Sequence, residues 1–249
     1  MIIKDSFEAY ELPWDTEFFK VKSAAATLKA TLSSSEQKEL FNFASGFEFF
    51  TFKNITNDNK NNEWLGTETK AFLTDVNMQF SKQVNPSINI QNMNVFISNF
   101  FPWNEQVLHI ARTSYKYSRF FNDPYLPKIE SSQVYAKWTQ DAFDKEDKYF
   151  VVSKSNDYVL GYLLFSINND ISTAIIELLA VNENYRGNQI GTSLINQLEM
   201  FLLQHEIKKI QVGTQLDNGA AIKFYLKNGF HYVSCSSIYH YWPQIEKRF

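Results

Sequence analysis

Residues 175–192 of the chain read IIELLAVNENYRGNQIGT, and this stretch decides the predicted fold. It opens with an apolar run over 175–181 that is typical of a buried β-strand, and a polar turn over 182–185 ends the run. A loop with one arginine and two glycines follows, and an amphipathic helix is predicted over 193–204. The stretch therefore predicts a strand, a basic glycine-containing loop and a helix in direct succession.

This succession is suited to binding a pyrophosphate. Backbone N–H groups in the loop and in the first helical turn have no partner within the helix, and the helix dipole favours an anion at that end. Glycine lets a ligand approach the backbone closely, and an arginine adds a fixed positive charge with several hydrogen-bond donors. The predicted phosphate-binding residues are Arg186, Gly187, Asn188, Gln189, Ile190, Gly191 and Thr192.

A second pattern lies downstream, where residues 208–215 read KKIQVGTQ and residues 218–230 read NGAAIKFYLKNGF. The first segment is typical of a strand. The second is typical of a helix that carries Asn218 and Tyr225 on one face, two turns apart, with Gly229 at its C-cap. Both patterns together resemble the acetyl-CoA signature of the GNAT acetyltransferase superfamily.

The resemblance to that signature rests first on its Arg/Gln-x-x-Gly-x-Gly/Ala motif, in which Arg186 and Gly191 match the first and last positions. Gln189 stands where the family usually has glycine, and this departure has a small effect if Gln189 keeps a negative φ with its N–H toward the phosphates. The resemblance implies an α+β chain with the GNAT acyl-CoA N-acyltransferase fold and acetyl-CoA as cosubstrate. From residue 93 onward the predicted elements are a strand, two helices, three strands, a helix, a strand, a helix and a strand, which is the order of that fold.

The resemblance also implies how acetyl-CoA lies on the chain. Its thioester and pantetheine arm follow the edge of the predicted strand at Leu179, Ala180 and Val181, where a splay or bulge frees backbone N–H groups. Asn218 binds the pantetheine arm. These residues and the glycine-containing loop form the predicted cofactor site.

Two residues carry the predicted chemistry. The resemblance implies that Tyr225 donates its phenolic proton to the leaving thiolate as general acid, and the alternative is a tyrosine that packs into the core. Glu177 is a carboxylate within an apolar run, an unusual place for a charge, and is the predicted base that activates the amine. The alternative for Glu177 is a salt-bridged or edge-facing glutamate. The single cysteine, Cys235, lies away from the motif, so no covalent enzyme intermediate is expected.

Composition limits the remaining possibilities. Of 249 residues, 44% are hydrophobic and 20% are charged, which indicates a folded globular chain. The net charge of −3 gives no electrostatic basis for nucleic-acid binding. The one cysteine and four scattered histidines show no metal-ligand spacing, so no metal is expected, and the lone cysteine fits a reducing, cytoplasmic location. No apolar run approaches the ~20 residues that span a bilayer, so we expect no membrane span.

The length of the chain suits two domains. We predict a small α/β domain over residues 1–92 and a GNAT acetyltransferase domain over residues 93–249, with a linker at 85–92. In the first domain a helix is predicted over about 33–44, and an Asn-, Asp- and Lys-rich segment over 56–63 is predicted as a loop. The first domain shows no phosphate loop of its own.

A narrower resemblance concerns the acceptor. Short segments along nearly the whole chain, beginning with WDTEFF at 14–19, resemble the dTDP-fucosamine acetyltransferases within the same superfamily. They imply a small-molecule acceptor, the amine of a nucleotide-linked (dTDP) amino sugar for bacterial envelope polysaccharide. Arg119 is the predicted partner of the diphosphate, because a guanidinium offers paired donors, and Phe120 can stack a base or sugar. Thr214 belongs to another resembling segment and is a third predicted acceptor contact. A surface salt bridge is the alternative for Arg119.

Several alternatives stay open at this stage. A protein N-terminus, a polyamine or an amino acid would suit the same cofactor motif as acceptor, and so would a module that binds acetyl-CoA without turnover. Tyr135 and Trp138 are expected in a helix core, and Trp14 and Asp15 at the contact between the two domains. The aromatic last strand, predicted over 232–242, would suit a homodimer.

Overall fold

The computed structural model of the protein describes residues 1–85 and 94–245. The strands are β1 (Ile2–Ile3), β2 (Phe7–Glu11), β3 (Ser23–Leu28), β4 (Phe49–Asn54), β5 (Phe72–Gln83), β6 (Val95–Asn99), β7 (Tyr149–Ser155), β8 (Tyr158–Asn168), β9 (Thr173–Val181), β10 (Lys209–Gln215) and β11 (His231–Tyr241). The helices are α1 (Pro13–Phe19), α2 (Ser34–Ala44), α3 (Asn59–Glu68), α4 (Glu105–Ser114), α5 (Arg119–Asn122), α6 (Lys128–Ala142), α7 (Ile190–Gln204) and α8 (Gly219–Lys227). Within these described ranges, no helix combines the length and the apolar composition needed to cross a lipid bilayer.

The described strands form one mixed sheet in the order β1-β2-β3-β4-β11-β5-β10-β9-β8-β7-β6. From β6 onward the elements follow the predicted order, except that the short helix α5 stands between the two predicted helices. The α+β GNAT fold expected from the sequence is confirmed. Helix α7 begins at Ile190, earlier than predicted, because the backbone N–H of Ser193 already donates to the carbonyl of Gln189. The first turn of α7 therefore belongs to the segment predicted as the phosphate loop.

A buried apolar face holds α7 on the sheet. Leu194, Ile195, Leu198 and Leu202 recur at helical spacing and are fully buried in the core between α7 and strands β6 to β9. Burial of one such side chain contributes about 1.5–3 kcal/mol relative to leaving it exposed. The loop before α7 is therefore attached to a rigid element.

One segment differs from the sequence prediction. The sequence predicts a loop over 56–63, but α3 begins there at Asn59. The side chain of Asp58 caps this helix by accepting a hydrogen bond from the backbone N–H of Asn61. Trp64 and Leu65 are buried and anchor the helix to the core. The prediction was wrong because these apolar residues stand after the polar stretch that starts the helix.

The two halves of the chain repeat one order of elements. β3-α2-β4-α3-β5 and β9-α7-β10-α8-β11 each begin with two parallel strands joined by a helix. The last strand of each half lies in the other half, because β5 pairs with β10 and β11 pairs with β4, while β5 and β11 pair with each other. The sheet thus continues through both halves. The predicted boundary between residues 92 and 93 lies outside the described residues, as does most of the predicted linker at 85–92.

Candidate active site

The N-terminus of α7 has no side-chain cap. Gln189 occupies the N-cap position but makes no side-chain hydrogen bond to the first turn, and the hydrogen bonds of the helix begin with Ser193 N to Gln189 O. The backbone N–H groups of residues 190–192 therefore have no partner within the helix. Since the helix dipole places partial positive charge at this end, the site is suited to an anion.

Helix α2 occupies the equivalent place in the first half of the repeat, and its N-terminus is closed. Ser33 and Glu36 form a capping box, in which each side chain accepts a hydrogen bond from the backbone N–H of the other. Hydrogen bonds from Ser33 lower the pKa of Glu36 to about 2, so its carboxylate is charged at neutral pH. The helix end that is open in α7 is thus occupied in α2 by a carboxylate of the chain itself.

The loop before α7 passes twice through the left-handed region, at Gly187 with a φ of +83° and at Gln189 with a φ of +60°. The negative φ expected at Gln189 is therefore not found. A residue with a Cβ adopts this conformation at a cost of roughly 1–2 kcal/mol, which is the physical reason why glycine suits position 189. Arg186 is exposed at the outer side of the loop, and its Nε donates to the carbonyl of Val181 at 3.3 Å.

Strands β9 and β10 separate next to this loop. Their parallel pairing ends where Ile176 lies opposite Val212. On its other side β9 stays paired with β8 as far as Val181. The edge of β9 that faces β10 is therefore open over residues 177–181, and its backbone N–H and C=O groups are available to a ligand.

The open edge of β9, the loop and the N-terminal part of α8 surround a cavity of about 650 Å³, within the size range of cofactor sites. The predicted cofactor residues that line it are Leu179, Ala180, Val181, Arg186, Gly187, Gln189, Ile190, Gly191, Thr192, Asn218 and Tyr225. Asn188 is not among the lining residues, and its side-chain amide donates to the carbonyl of Tyr185 at 3.3 Å. The structure thus brings nearly all predicted cofactor residues to one cavity.

Asn218 and Thr214 reach this cavity from the end of β10 and the turn after it. The Oδ1 atom of Asn218 accepts a hydrogen bond from the backbone N–H of Ala221 at 3.1 Å, which caps α8. Thr214, a predicted acceptor contact, is buried in the cavity wall. The amide of Asn218 is therefore held in place by the helix that also carries Tyr225.

Tyr225 lies in the cavity wall, and its ring packs against Phe80, Phe224 and Phe230 with centroid distances of 5.4–6.1 Å. The residue is 6% exposed. Burial raises the pKa of Tyr225 well above the ordinary value for a tyrosine, so the phenol keeps its proton at neutral pH. A neutral phenol in the wall of the cavity can donate a proton to an anion that forms there.

Glu177 is the extra residue of a β-bulge, because the β8–β9 register shifts between Leu164 and Phe165. It lines the cavity, and both of its carboxylate oxygens have partners. Oε1 is in an ion pair with Lys148, and Oε2 accepts a hydrogen bond from Trp138 Nε1 at 3.1 Å. Glu177 thus forms the salt bridge that was the alternative to its role as base. Its role as base stays a prediction.

Arg119 and Phe120 lie apart from the residues that line this cavity. Nη1 of Arg119 donates to Thr51 Oγ1 at 3.1 Å and to His240 Nε2 at 3.4 Å, and its Nη2 lies 4.0 Å from Asp15 Oδ2. The guanidinium carbon stands 4.2 Å from the centre of the Phe120 ring. Arg119 therefore belongs to a largely buried cluster of polar groups, and its contact with an acceptor stays a prediction.

Other residues of the cavity were not singled out by any sequence pattern. They are Ser114, Tyr115, Lys116, Tyr117, Tyr185, Gln215 and Lys227. Tyr135, expected in a helix core, also lies in the cavity wall, and Trp138 is 40% exposed. Those at 114–117 come from the end of α4 and the segment after it, and Tyr135 comes from α6, neither of which any local periodicity connects with β9. Tyr185, Gln215 and Lys227 carried a usable signal, since they stand within the quoted stretches that contain the predicted site.

Comparison with known families places the chain in one of them. The model of the acetyltransferase (GNAT) family matches residues 106–230, which is half of the chain. The matched region contains the loop before α7, the open edge of β9 and Tyr225. The chain belongs to the acetyltransferase (GNAT) family, whose members use acetyl-CoA.

One relative is similar to part of the chain in sequence. The spore coat polysaccharide biosynthesis protein SpsD of Bacillus subtilis (strain 168) is 31% identical over 147 residues, which are 58% of this chain and 49% of SpsD. The match thus spans about half the length of that relative.

Solved structures are similar in fold at low identity. A GCN5-related N-acetyltransferase from Sphaerobacter thermophilus has a TM-score of 0.64 and 9% identity, and the alignment covers 96% of this chain and 77% of that one. A conserved protein of unknown function from Staphylococcus epidermidis ATCC 12228 has a TM-score of 0.66 and 12% identity, and the alignment covers 96% of this chain and 92% of that protein. A tandem GNAT protein from the clavulanic acid biosynthesis pathway has a TM-score of 0.59 and 12% identity, and the alignment covers 88% of this chain and 75% of that protein.

Proposed function

We propose that the protein is an acetyl-CoA-dependent N-acetyltransferase that acetylates the amine of a nucleotide-linked amino sugar for bacterial envelope polysaccharide. The observation that carries the acetyl transfer is the uncapped N-terminus of α7 beside the open edge of β9, in one cavity. Family membership supports the same reaction. The similarity to SpsD, a spore coat polysaccharide biosynthesis protein, supports the sugar acceptor, as does the narrower sequence resemblance.

In this proposal the pyrophosphate of acetyl-CoA binds to the N–H groups of residues 190–192, with Arg186 as its cationic partner. The pantetheine arm then follows residues 179–181, where it takes the hydrogen bonds that β10 would supply in a continuous sheet. Asn218 contacts the arm from the other side of the cavity. This course leads the thioester along β9 toward the bulge at Glu177.

The reaction needs a positioned carbonyl, a neutral amine and a proton for the leaving sulfur. The amine nitrogen attacks the thioester carbon, and backbone N–H groups near Leu179 stabilise the oxyanion that forms. As the C–S bond breaks, Tyr225 donates its proton to the thiolate. Glu177 is the proposed base on β9, and Arg119, Phe120 and Thr214 are the proposed acceptor contacts.

The test is the release of coenzyme A from acetyl-CoA with a panel of acceptors. The panel holds dTDP- and UDP-linked amino sugars, spermidine, a peptide with a free amine, and a reaction without acceptor. We expect acceptor-dependent release with a dTDP-linked amino sugar. Release with spermidine or the peptide alone would contradict the sugar acceptor and leave the acetyl transfer standing. Tight binding of acetyl-CoA without release by any amine would contradict turnover and favour a module that only binds acetyl-CoA.

A further inference from the structure

A buried polar cluster lies where α1 and α5 meet the central strands β4, β5 and β11. We name it the junction cluster, and it consists of Asp15, Thr51, Asp75, Arg119 and His240. The hydrogen bonds of Arg119 to Thr51 and His240 both run through Nη1, and its Nη2 is beyond hydrogen-bond distance of Asp15 at 4.0 Å. Asp15 is 9% exposed, and its Oδ2 is buried without a hydrogen-bond partner. Buried polar atoms normally have partners, so the unpartnered oxygen of Asp15 is an unusual feature of the cluster.

The junction cluster adjoins the acetyl-CoA cavity through Tyr135 and Gln215. Both residues line the cavity, and the hydroxyl of Tyr135 donates to the carbonyl of Tyr117, another residue of the cavity wall, at 3.2 Å. Tyr135 is also close enough to Arg119 and Asp75 for their charges to act on its pKa. The cluster and the cavity therefore share a wall.

Strand pairing places Asp75 next to that wall. Gln215 lies opposite Asn77 on β5, and Asp75 is two residues further along, about 7 Å of strand. Because alternate residues of a strand share a face, Asp75 lies on the same face as Asn77 and Gln79. The side chains of Asn77 and Gln79 lie beside Gly213 of the cavity wall, within 3.4 Å of the place where its Cβ would stand.

We propose that Asp75 receives the amine of the acceptor and takes a proton from it. The inference rests on the proposed function only as far as acetyl transfer to an amine, whatever that amine belongs to. The role of base thus moves from Glu177 to Asp75, because the two carboxylate oxygens of Glu177 already have partners in Lys148 and Trp138. Asp75 is half-buried and shares a face of β5 with Asn77 and Gln79 beside the cavity wall, so an ammonium group at that wall can pair with its carboxylate.

The proton balance of this step is complete. An ammonium group loses two protons when it becomes an amide nitrogen. The first goes to Asp75, so that the nitrogen lone pair can form the C–N bond, and Asp75 later releases that proton to water. The C–S bond then breaks and the sulfur takes the proton of Tyr225. The second proton leaves the nitrogen and restores the phenol of Tyr225.

The surroundings of Asp75 suit this role. Burial is the main cause that raises the pKa of Asp75 to about 6, and the negative charge of Asp217, in the turn between β10 and α8, contributes to this rise. Arg119 on α5 lowers the pKa, and Asp15 on α1 lies behind that arginine. Tyr135 on α6 also faces the carboxylate. A carboxylate with this pKa is a stronger base than an ordinary aspartate and is still largely charged at pH 7.

The experiment compares the kcat/KM of Asp75→Asn, Asp217→Asn and Asp170→Asn with that of the unmodified protein between pH 5 and 8. The acceptor is whichever panel amine supports coenzyme A release by the unmodified protein. We expect Asp75→Asn to lower kcat/KM about 100-fold or more, to remove the fall in rate below pH 6, and to leave the Kd of acetyl-CoA within twofold. Asp170→Asn, in an exposed turn, is the matched control and should behave like the unmodified protein.

Asp217→Asn gives a second readout, the position of the acid limb of the pH profile, in a protein that still contains Asp75. Removing the charge of Asp217 lowers the pKa of Asp75, so the acid limb of the profile should move to lower pH while the rate at pH 7.5 is retained. Full activity of Asp75→Asn with an unchanged acid limb would overturn this inference alone. An unmoved limb in Asp217→Asn would also overturn it. Absence of release with every amine would overturn the proposed function, and the amine site with it.

Discussion

At the scale of single residues, the proposed chemistry depends on a phenol that is both buried and in contact with the cavity. Tyr225 is surrounded by aromatic rings, and this burial raises its pKa. The same burial means that its ring contributes to packing, so only a variant that keeps the ring separates the two roles. Phenylalanine removes the hydroxyl and leaves the apolar surface in place.

We expect Tyr225→Phe to lower kcat about 10²- to 10⁴-fold, because the leaving thiolate loses its proton donor. The Kd of acetyl-CoA should stay within about twofold, since the ring and the loop before α7 are unchanged. Steady-state kinetics and calorimetric titration measure the two quantities. Tyr158→Phe, at an exposed hairpin end, is the control. A kcat equal to that of the unmodified protein would remove Tyr225 from the mechanism.

At the scale of elements, the anion site results from a contrast between two helices that occupy equivalent places in the repeat. The N-terminus of α2 is closed by Ser33 and Glu36, whereas that of α7 is open and follows a strained loop. Gly187 and Gln189 both have a positive φ, but only glycine adopts it without cost. We therefore expect opposite effects on the free energy of unfolding when glycine is introduced at position 189 and removed at position 187.

We expect Gln189→Gly to raise the free energy of unfolding by about 0.5–1 kcal/mol, because relief of the left-handed strain exceeds the added entropy of the unfolded chain. Gly187→Ala should lower it by about 1 kcal/mol. A Cβ at position 187 meets no atom within 4 Å, so this loss is conformational rather than steric. Chemical unfolding without acetyl-CoA measures both variants. Changes of the same sign in the two variants would contradict the strained loop.

At the scale of the whole molecule, the two halves are joined by exchanged strands and by buried polar contacts. His240 on β11 is fully buried, and its Nδ1 lies 2.6 Å from Asp123 Oδ2. Arg119 donates to the other ring nitrogen, which requires a lone pair there and therefore a neutral ring. Trp14 Nε1 donates to Asp141 on α6 at 2.8 Å, so α1 also connects the halves, as expected for Trp14.

The pH dependence of stability follows from His240. Burial lowers its pKa to about 4, so between pH 4 and 6.5 the unfolded chain binds a proton that the folded chain does not. The free energy of unfolding should therefore fall as the pH drops through this window, by on the order of 1–3 kcal/mol. Urea unfolding at several pH values measures the slope, which His240→Gln should reduce.

The control for this prediction is His109→Gln, because His109 is an exposed histidine on α4. Its pH slope should equal that of the unmodified protein. Equal slopes for His240→Gln and the unmodified protein would contradict a buried neutral histidine at the junction.

The residues of the proposed cofactor site could be grouped from the sequence because their spacing reflects local geometry. Arg186, Gly187, Gly191, Asn218 and Tyr225 lie on a strand–loop–helix unit and on one helix face, where spacing along the chain translates directly into position in space. Even here the left-handed φ of Gln189 was not predictable, since backbone conformation at a single loop residue depends on how the two flanking elements are oriented.

By itself, then, the sequence determined the family, the class of fold and most of the residues that line the cavity proposed for acetyl-CoA. Only the tertiary structure decided which groups lie on the acceptor side. Asp75 lies near Asp217 and Tyr135 because β5 pairs between β10 and β11. Glu177 stands at a bulge, and its carboxylate contacts Lys148 and Trp138. The physical reason is that the periodicity of a sequence indicates which face of a strand is buried, whereas the neighbours of that strand depend on the topology of the whole sheet.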